Sequence, residues 1–100
     1  MSQLKAEKTI IQPENMSIYE AQEIQETFAA ALMKFENIEV DLINVAEIDS
    51  AGLQLMIALK NDAIKLTKNI SFTNFSSEVV DLLELFDVSH LFSDTGVIDN

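Results

Sequence analysis

Asp49-Ser50-Ala51-Gly52 is the place in this chain where residue types and their spacing could do chemistry. The four residues follow an apolar strand candidate and a short connection, and they open a helical pattern. The first N–H groups of a helix lack internal acceptors and stand at the positive end of the helix dipole. Asp49 or Ser50 can serve there as N-cap, the commonest use of these residue types in such a place. Ser50 can also carry a phosphate that the same donors would help to stabilise. Gly52, with no Cβ, allows a tight backbone turn and the close approach of another surface. Spacing alone leaves the cap and the phosphate both open.

Other chemistries find little support. Glu47 and Asp49 are neighbouring carboxylates, but no second catalytic element stands at an identifiable spacing, so acid–base catalysis is not expected. A phosphate-binding loop needs a glycine-rich run before a helix, and the chain has 2 glycines in all. His90 is the only histidine and cysteine is absent, which removes His- or Cys-based metal clusters, thiol catalysis and disulfides. No cofactor is expected, and His90 reads as a helix-end or surface residue. A phospho-accepting aspartate of the receiver type could be sought at Asp41 or Asp49. That pattern also requires an acidic pair after the first strand, where this chain has Gln12-Pro13.

Charge narrows the partners. Seventeen acidic residues stand against 6 lysines, arginine is absent, and the net charge is -11. Such a chain repels phosphate backbones and anionic lipid, so nucleic acid and anionic membrane surfaces are disfavoured as direct partners, and no direct membrane insertion is expected. Phe72, Phe75, Phe86 and Phe92 have no basic neighbours with which to hold stacked bases, and they read as core. Acidity of this degree suits a basic protein partner. No apolar run reaches the ~18 residues of a membrane span, and the first residues lack the apolar stretch of a secretion signal. The expected setting is the cytoplasm.

The elements that must position Ser50 follow from hydrophobic periodicity. At 100 residues, with 48% hydrophobic and 23% charged composition, the chain fits a single domain with its folded core over about 8–95. Lys8 to Gln12 is a first strand, ended by the turn Pro13-Glu14-Asn15. Ser17 and Glu20 have capping-box spacing. Ile18, Ala21, Ile24, Phe28, Leu32 and Phe35 then mark an amphipathic helix. Ile38 to Ile43 is a second strand with Ile38, Val40 and Leu42 on one face. Asn44 to Asp49 connects it to a helix whose stripe is Gly52, Met56, Leu59, Ala63 and Leu66, widened by Leu53 and Ile57. Ile70 to Phe75 is a third strand, and Ser76 caps a third helix with Val79, Val80, Leu83 and Phe86 as its buried edge. Leu91 to Ile98 could add a short last strand. This β-α-β-α-β-α-(β) order predicts an α/β fold: a compact sheet of about four strands, mainly parallel, packed by three helices with right-handed crossovers. Functional residues of such sheets gather at strand C-termini and the following helix N-termini, where Asp41 to Gly52 falls.

The block from Val40 to Leu53, with its apolar strand, short loop, Asp49-Ser50-Ala51-Gly52 and Leu-rich helix, resembles the signature of STAS domains. That family is named for sulfate transporters and anti-sigma factor antagonists. The resemblance runs from about Lys8 to Phe92 and includes the closing segment Val79 to Val88. Two features depart from it. There is little room for the extra first strand of the longer antagonists, and Asp87-Val88 stands where the family often has Gly-Leu.

The resemblance implies a binding module without catalysis. In the antagonists a partner kinase, itself the anti-sigma factor, phosphorylates the serine of this motif, and the dephosphorylated form binds that kinase. Ser50 matches the phospho-acceptor, Asp49 the preceding acid and Gly52 the glycine. Two roles follow: a phospho-regulated switch that binds a serine kinase or a chemosensory component, or a constitutive subunit that binds the ATPase of a lipid-transporting ABC complex. In both, the partner is expected on Asp49, Ser50, Ala51 and Gly52, continued along one helix face by Gln54, Ile57 and Asn61. The nearest lysine to Ser50 along the chain is Lys60, and no arginine is present to dock a phosphate. Phosphorylation is therefore expected to disfavour an interface electrostatically and not to refold the module.

Overall fold

Alternating apolar residues in three short segments and 3.6-residue periodicity in three longer ones give the observed architecture. A computed structural model describes residues 7–92. In chain order the elements are β1 (Lys8–Ile11), β2 (Asn15–Met16), α1 (Ala21–Lys34), β3 (Asn37–Asp41), β4 (Glu47–Ile48), α2 (Ser50–Lys65), β5 (Asn69–Thr73) and α3 (Ser77–Leu85), followed by a 3-10 turn at Ser89–Leu91. Strands β1, β3 and β5 form a parallel sheet with β3 central, while β2 and β4 form a separate two-residue parallel ladder. The main sheet is thus three-stranded among the described residues, and β2 and β4 add a small ladder that hydrophobic periodicity does not announce. Neither ladder strand is long enough to show alternation. The expected last strand, Leu91 to Ile98, falls mostly outside the described residues; Leu91 and Phe92 close the 3-10 turn.

The register makes the two sheet faces chemically different. Thr9 pairs with Ile38 and Ile11 with Val40, while Ile38 pairs with Ile70 and Val40 with Phe72, so these residues share the core face. Ile38, Val40 and Phe72 are buried there. Lys8, Glu39, Asp41 and Thr73 lie on the other face, where cross-strand polar bonds hold them. Lys8 Nζ lies 2.9 Å from Glu39 Oε1, Thr73 Oγ1 donates to Glu39 Oε2 at 2.8 Å, and Asn69 Nδ2 donates to Asn37 Oδ1 at 2.8 Å. Asp41 accepts from Gln12 Nε2 at 2.9 Å and from Asn74 Nδ2 at 3.2 Å. The Lys8 ammonium first, and then the Thr73 hydroxyl, hold the Glu39 carboxyl below the usual carboxylate range. Parallel sheets are usually apolar on both faces; here polar pairing across strands lets one face remain at the surface.

The core joins α1 (Ile24, Phe28, Leu32), α2 (Leu53, Met56, Leu59, Ala63) and α3 (Val79, Leu83) to that apolar face, with Met16, Leu42 and Val45 completing it. Phe72 and Phe92 meet edge to face, their centroids 5.1 Å apart, a favoured arrangement of aromatic quadrupoles.

Helix ends correct three details. Helix α1 starts at Ala21 because Ser17–Glu20 is spent on a turn: Glu20 N–H donates to Ser17 O, and Glu20 Oε1 accepts from both Ser17 N and Ser17 Oγ at 2.9 and 2.6 Å. The carboxylate half of the capping box forms, while the Ser17 hydroxyl accepts from Tyr19 N–H at 3.2 Å in place of Glu20 N–H, and Ile18, expected in the buried stripe, is exposed. Leu66 and Phe86, also assigned to buried stripes, are exposed because each is a C-cap at which the chain reverses. Both helices end in the full Schellman pattern. Lys68 N–H bonds Ala63 O and Thr67 N–H bonds Ile64 O; Val88 N–H bonds Leu83 O and Asp87 N–H bonds Glu84 O. The left-handed residues are Thr67 (φ 58°) and Asp87 (φ 58°). Asp87 stands where the STAS pattern often has glycine, and aspartate is among the residues that tolerate this conformation.

Candidate functional site

Asp49 is the N-cap of α2. Its Oδ1 accepts from Ala51 N at 3.0 Å and Gly52 N at 3.3 Å, which satisfies two of the helix's orphan donors. Its Oδ2 reaches across the fold to Ile18 N at 3.0 Å. One carboxylate thereby joins the start of α2 to the Ser17–Glu20 turn. The Ile18 N–H first, and then those of Gly52 and Ala51, hold the Asp49 carboxyl below the usual range. Glu20 is also held low, chiefly by the Ser17 hydroxyl, although the Asp49 charge pushes it the other way. Two ionised carboxylates therefore stand close together at this end of the helix.

Gly52 is buried, and the surface that approaches it closely is the chain's own. A Cβ built on Gly52 would lie 2.0 Å from Met16 O, 2.9 Å from Met16 Cβ and 3.0 Å from Ile48 Cγ1. The first turn of α2 thus rests directly on the β2–β4 ladder. Gly52 is expected from the sequence among the partner contacts; its burial makes it instead a packing residue that sets the position of Ser50.

With Asp49 as cap, Ser50 is left in the first turn of α2 with no capping duty. It is exposed, and its hydroxyl makes no hydrogen bond within the described residues. The α2 residues grouped with it divide by burial: Gln54 and Asn61 are exposed, while Ala51 and Ile57 are half-buried. Ile57 packs on the edge of the core and keeps part of its side chain at the surface. The helix donors invoked for a phosphate are already in use, since Asp49 takes the N–H groups of Ala51 and Gly52. Lys60 is about 15 Å along the helix axis from Ser50 by the rise per residue. A dianion on Ser50 would join Asp49 and Glu20 without a nearby lysine of α2 to offset it.

Sequence reasoning misses the contribution of the Ser17–Glu20 turn. The Ile18–Asp49 hydrogen bond places it beside Ser50, with Ile18 63% and Tyr19 91% exposed. The Ser17–Glu20 spacing is a visible signal, but it points to a helix start, and nothing in the chain order announces a bond between Ile18 and Asp49. Other candidates remain apart from chemistry. His90 lies in the exposed 3-10 turn. Among the described residues no group of His, Asp and Glu could hold a metal ion, and no helix is long and apolar enough to cross a membrane.

Comparison with known proteins gives the family and the fold. A family model described as Mlab, STAS domain, matches residues 13–93. Two similar solved structures are the anti-sigma factor antagonist SpoIIAA in its unphosphorylated form and the Bacillus cell fate determinant SpoIIAA in its phosphorylated form. The first has 13% identity and a TM-score of 0.70, covering 86% of this chain and 77% of that one. The second has 12% identity and a TM-score of 0.67, covering 86% and 80%. At this identity they establish a shared fold. No curated protein sequence matches the chain. The chain belongs to the STAS-domain family that the model describes.

Proposed function

We propose that this STAS domain is a non-enzymatic cytoplasmic switch that binds a protein partner through the surface around Ser50 and releases it when Ser50 is phosphorylated. The observation that carries this reading is the division of labour at the start of α2: Asp49 does the capping, and the exposed Ser50 hydroxyl has no hydrogen-bond partner among the described residues. A serine kept only as a cap would have that hydroxyl on a backbone N–H. The partner class is a serine kinase of the anti-sigma type or a sensory component. Phosphorylation acts by charge, adding nearly two negative charges beside Asp49 and Glu20. An antagonist of the same fold has been solved in both phosphorylation states, so the fold can carry the modification.

The family match supports a second reading, a constitutive subunit bound to the ATPase of a lipid-transporting ABC complex, in which the Ser50 hydroxyl contributes directly at the contact. Wild-type, Ser50→Ala and Ser50→Asp baits, with captured proteins identified by mass spectrometry, separate the two. Capture of a kinase that Ser50→Ala keeps and Ser50→Asp loses supports the switch. A transporter ATPase, or a partner set unaffected by Ser50→Asp, supports the constitutive subunit.

A further inference from the structure

A second feature lies beside Ser50, on the far side of the Ser17–Glu20 turn. Between the β1–β2 connection and the first turns of α1 is a cleft of about 360 Å³, within the size range of sites that enclose a side chain or a small ligand. Its floor is apolar: Ile24 and Phe28 are 8% and 4% exposed and belong to the core, and Ile11 packs against them. Its rim is acidic, carrying Glu14, Glu20 and Glu23, and no lysine lines it among the described residues. Glu20 is held in its ionised form by the Ser17 hydroxyl and N–H. The same turn bears the exposed Ile18 and Tyr19 and is bonded to Asp49, so the segment that rims the cleft at Glu20 also adjoins the start of α2 that carries Ser50.

We propose that this cleft docks a basic segment of the protein partner, with an arginine or lysine side chain entering it and an apolar neighbour resting on Ile18 and Tyr19. The occupant follows from charge complementarity. An aliphatic stem suits the Ile24–Phe28 floor, and its cationic head suits the glutamate rim. An anionic or purely apolar segment would leave the three carboxylates unmatched. The proposal rests on the reading of this module as a protein-binding domain and specifies what the partner must bring. A phosphate on Ser50 then has only to disturb contacts at the start of α2, while those at the cleft are held by the opposite charge pattern.

The test uses the whole unphosphorylated chain and a defined probe, the peptide acetyl-Leu-Arg-Leu-Arg-Leu-amide, titrated into ¹⁵N-labelled protein. The expected result is saturable amide shifts centred on Asn15, Ile24 and Thr27, absent when citrulline replaces arginine. The double variant Glu14→Lys/Glu23→Lys, both positions exposed, should weaken binding about tenfold. Asp62→Lys/Glu84→Lys changes net charge by the same amount at exposed positions away from the cleft, and should weaken it less than about twofold. Equal weakening by both double variants, shifts centred elsewhere, or no saturable shift would each overturn the proposal. Because the titration needs neither a phosphate nor the natural partner, its result is independent of the Ser50→Asp capture experiment. A docked peptide with unaltered Ser50→Asp capture would remove the switch and keep the cleft.

Discussion

The two ends of α2 are built to different tolerances. At its N-terminus, Asp49 satisfies donors from two separate segments, and Gly52 sits where any side chain would collide with Met16 backbone. At its C-terminus, the Schellman turn places Thr67, a β-branched residue, at φ 58°, although glycine is the relaxed choice there. The second arrangement costs stability and nothing else, because the turn only has to reverse the chain into β5. The first fixes the position of Ser50. Local strain is tolerated where only the net stability of the domain is affected, and the close fit is found where a surface is presented.

The largest expected effect breaks the tight end. Gly52→Ala should destabilise the domain by about 2 kcal/mol, the overpacking cost exceeding the helix-propensity gain of alanine. The drop in Tm would be about 10 °C, read by circular dichroism. An unchanged Tm would mean that β2 moves away from α2 without penalty.

The next effect concerns Asp49. Asp49→Asn keeps an N-cap residue but loses the charge, and should lower Tm by a few degrees at neutral pH. The pH profile sharpens the test. Asp49, Glu20, Asp41 and Glu39 all have folded-state values below their ordinary ones. Their contribution is therefore complete above the ordinary carboxylate range and is lost as pH falls through the lowered folded values. Tm should stay level from neutral pH down to about pH 5 and fall below about pH 4, with a shallower acid limb in Asp49→Asn. Parallel acid limbs would show that Asp49 titrates alike in the folded and unfolded chains.

The smallest effect has the opposite sign and comes from the loose end. Thr67→Gly should stabilise by about 0.5–1 kcal/mol, since relief of the left-handed backbone outweighs the added freedom of the unfolded chain. A fall in Tm on this substitution would mean that the two ends of α2 are equally optimised, and the contrast would fail.

Much of the fold was legible because long elements write their periodicity plainly. Ile38, Val40 and Leu42 alternate in sequence and are all buried, and Ser76 caps α3 as its position suggested, accepting from Val79 N at 3.3 Å. What stayed hidden was short or depended on pairing at a distance. Met16 is completely buried, yet it lies between a turn and another turn, with no periodic neighbours to mark it. The two-residue strands β2 and β4 are recognisable only through each other. Leu66 and Phe86 continue their apolar stripes in sequence, but helical spacing has no meaning past a C-cap. At the site, the Asp-Ser-Ala-Gly order showed where to look. What else the capping Asp49 binds, and which surface Gly52 meets, involve Ile18 and Met16, residues more than thirty positions away along the chain.

The burial of Gly52 under Met16 also bears on how Ser50 can be read by another protein. Its neighbours are locked into a helical turn resting on a ladder drawn from two distant segments, so Ser50 is not offered as part of an extended strip of sequence. An enzyme or partner that addresses Ser50 must recognise a shape assembled from the 15–20 turn and the start of α2 together. A peptide copied from residues 45–56 would contain every letter of the motif and almost none of its address.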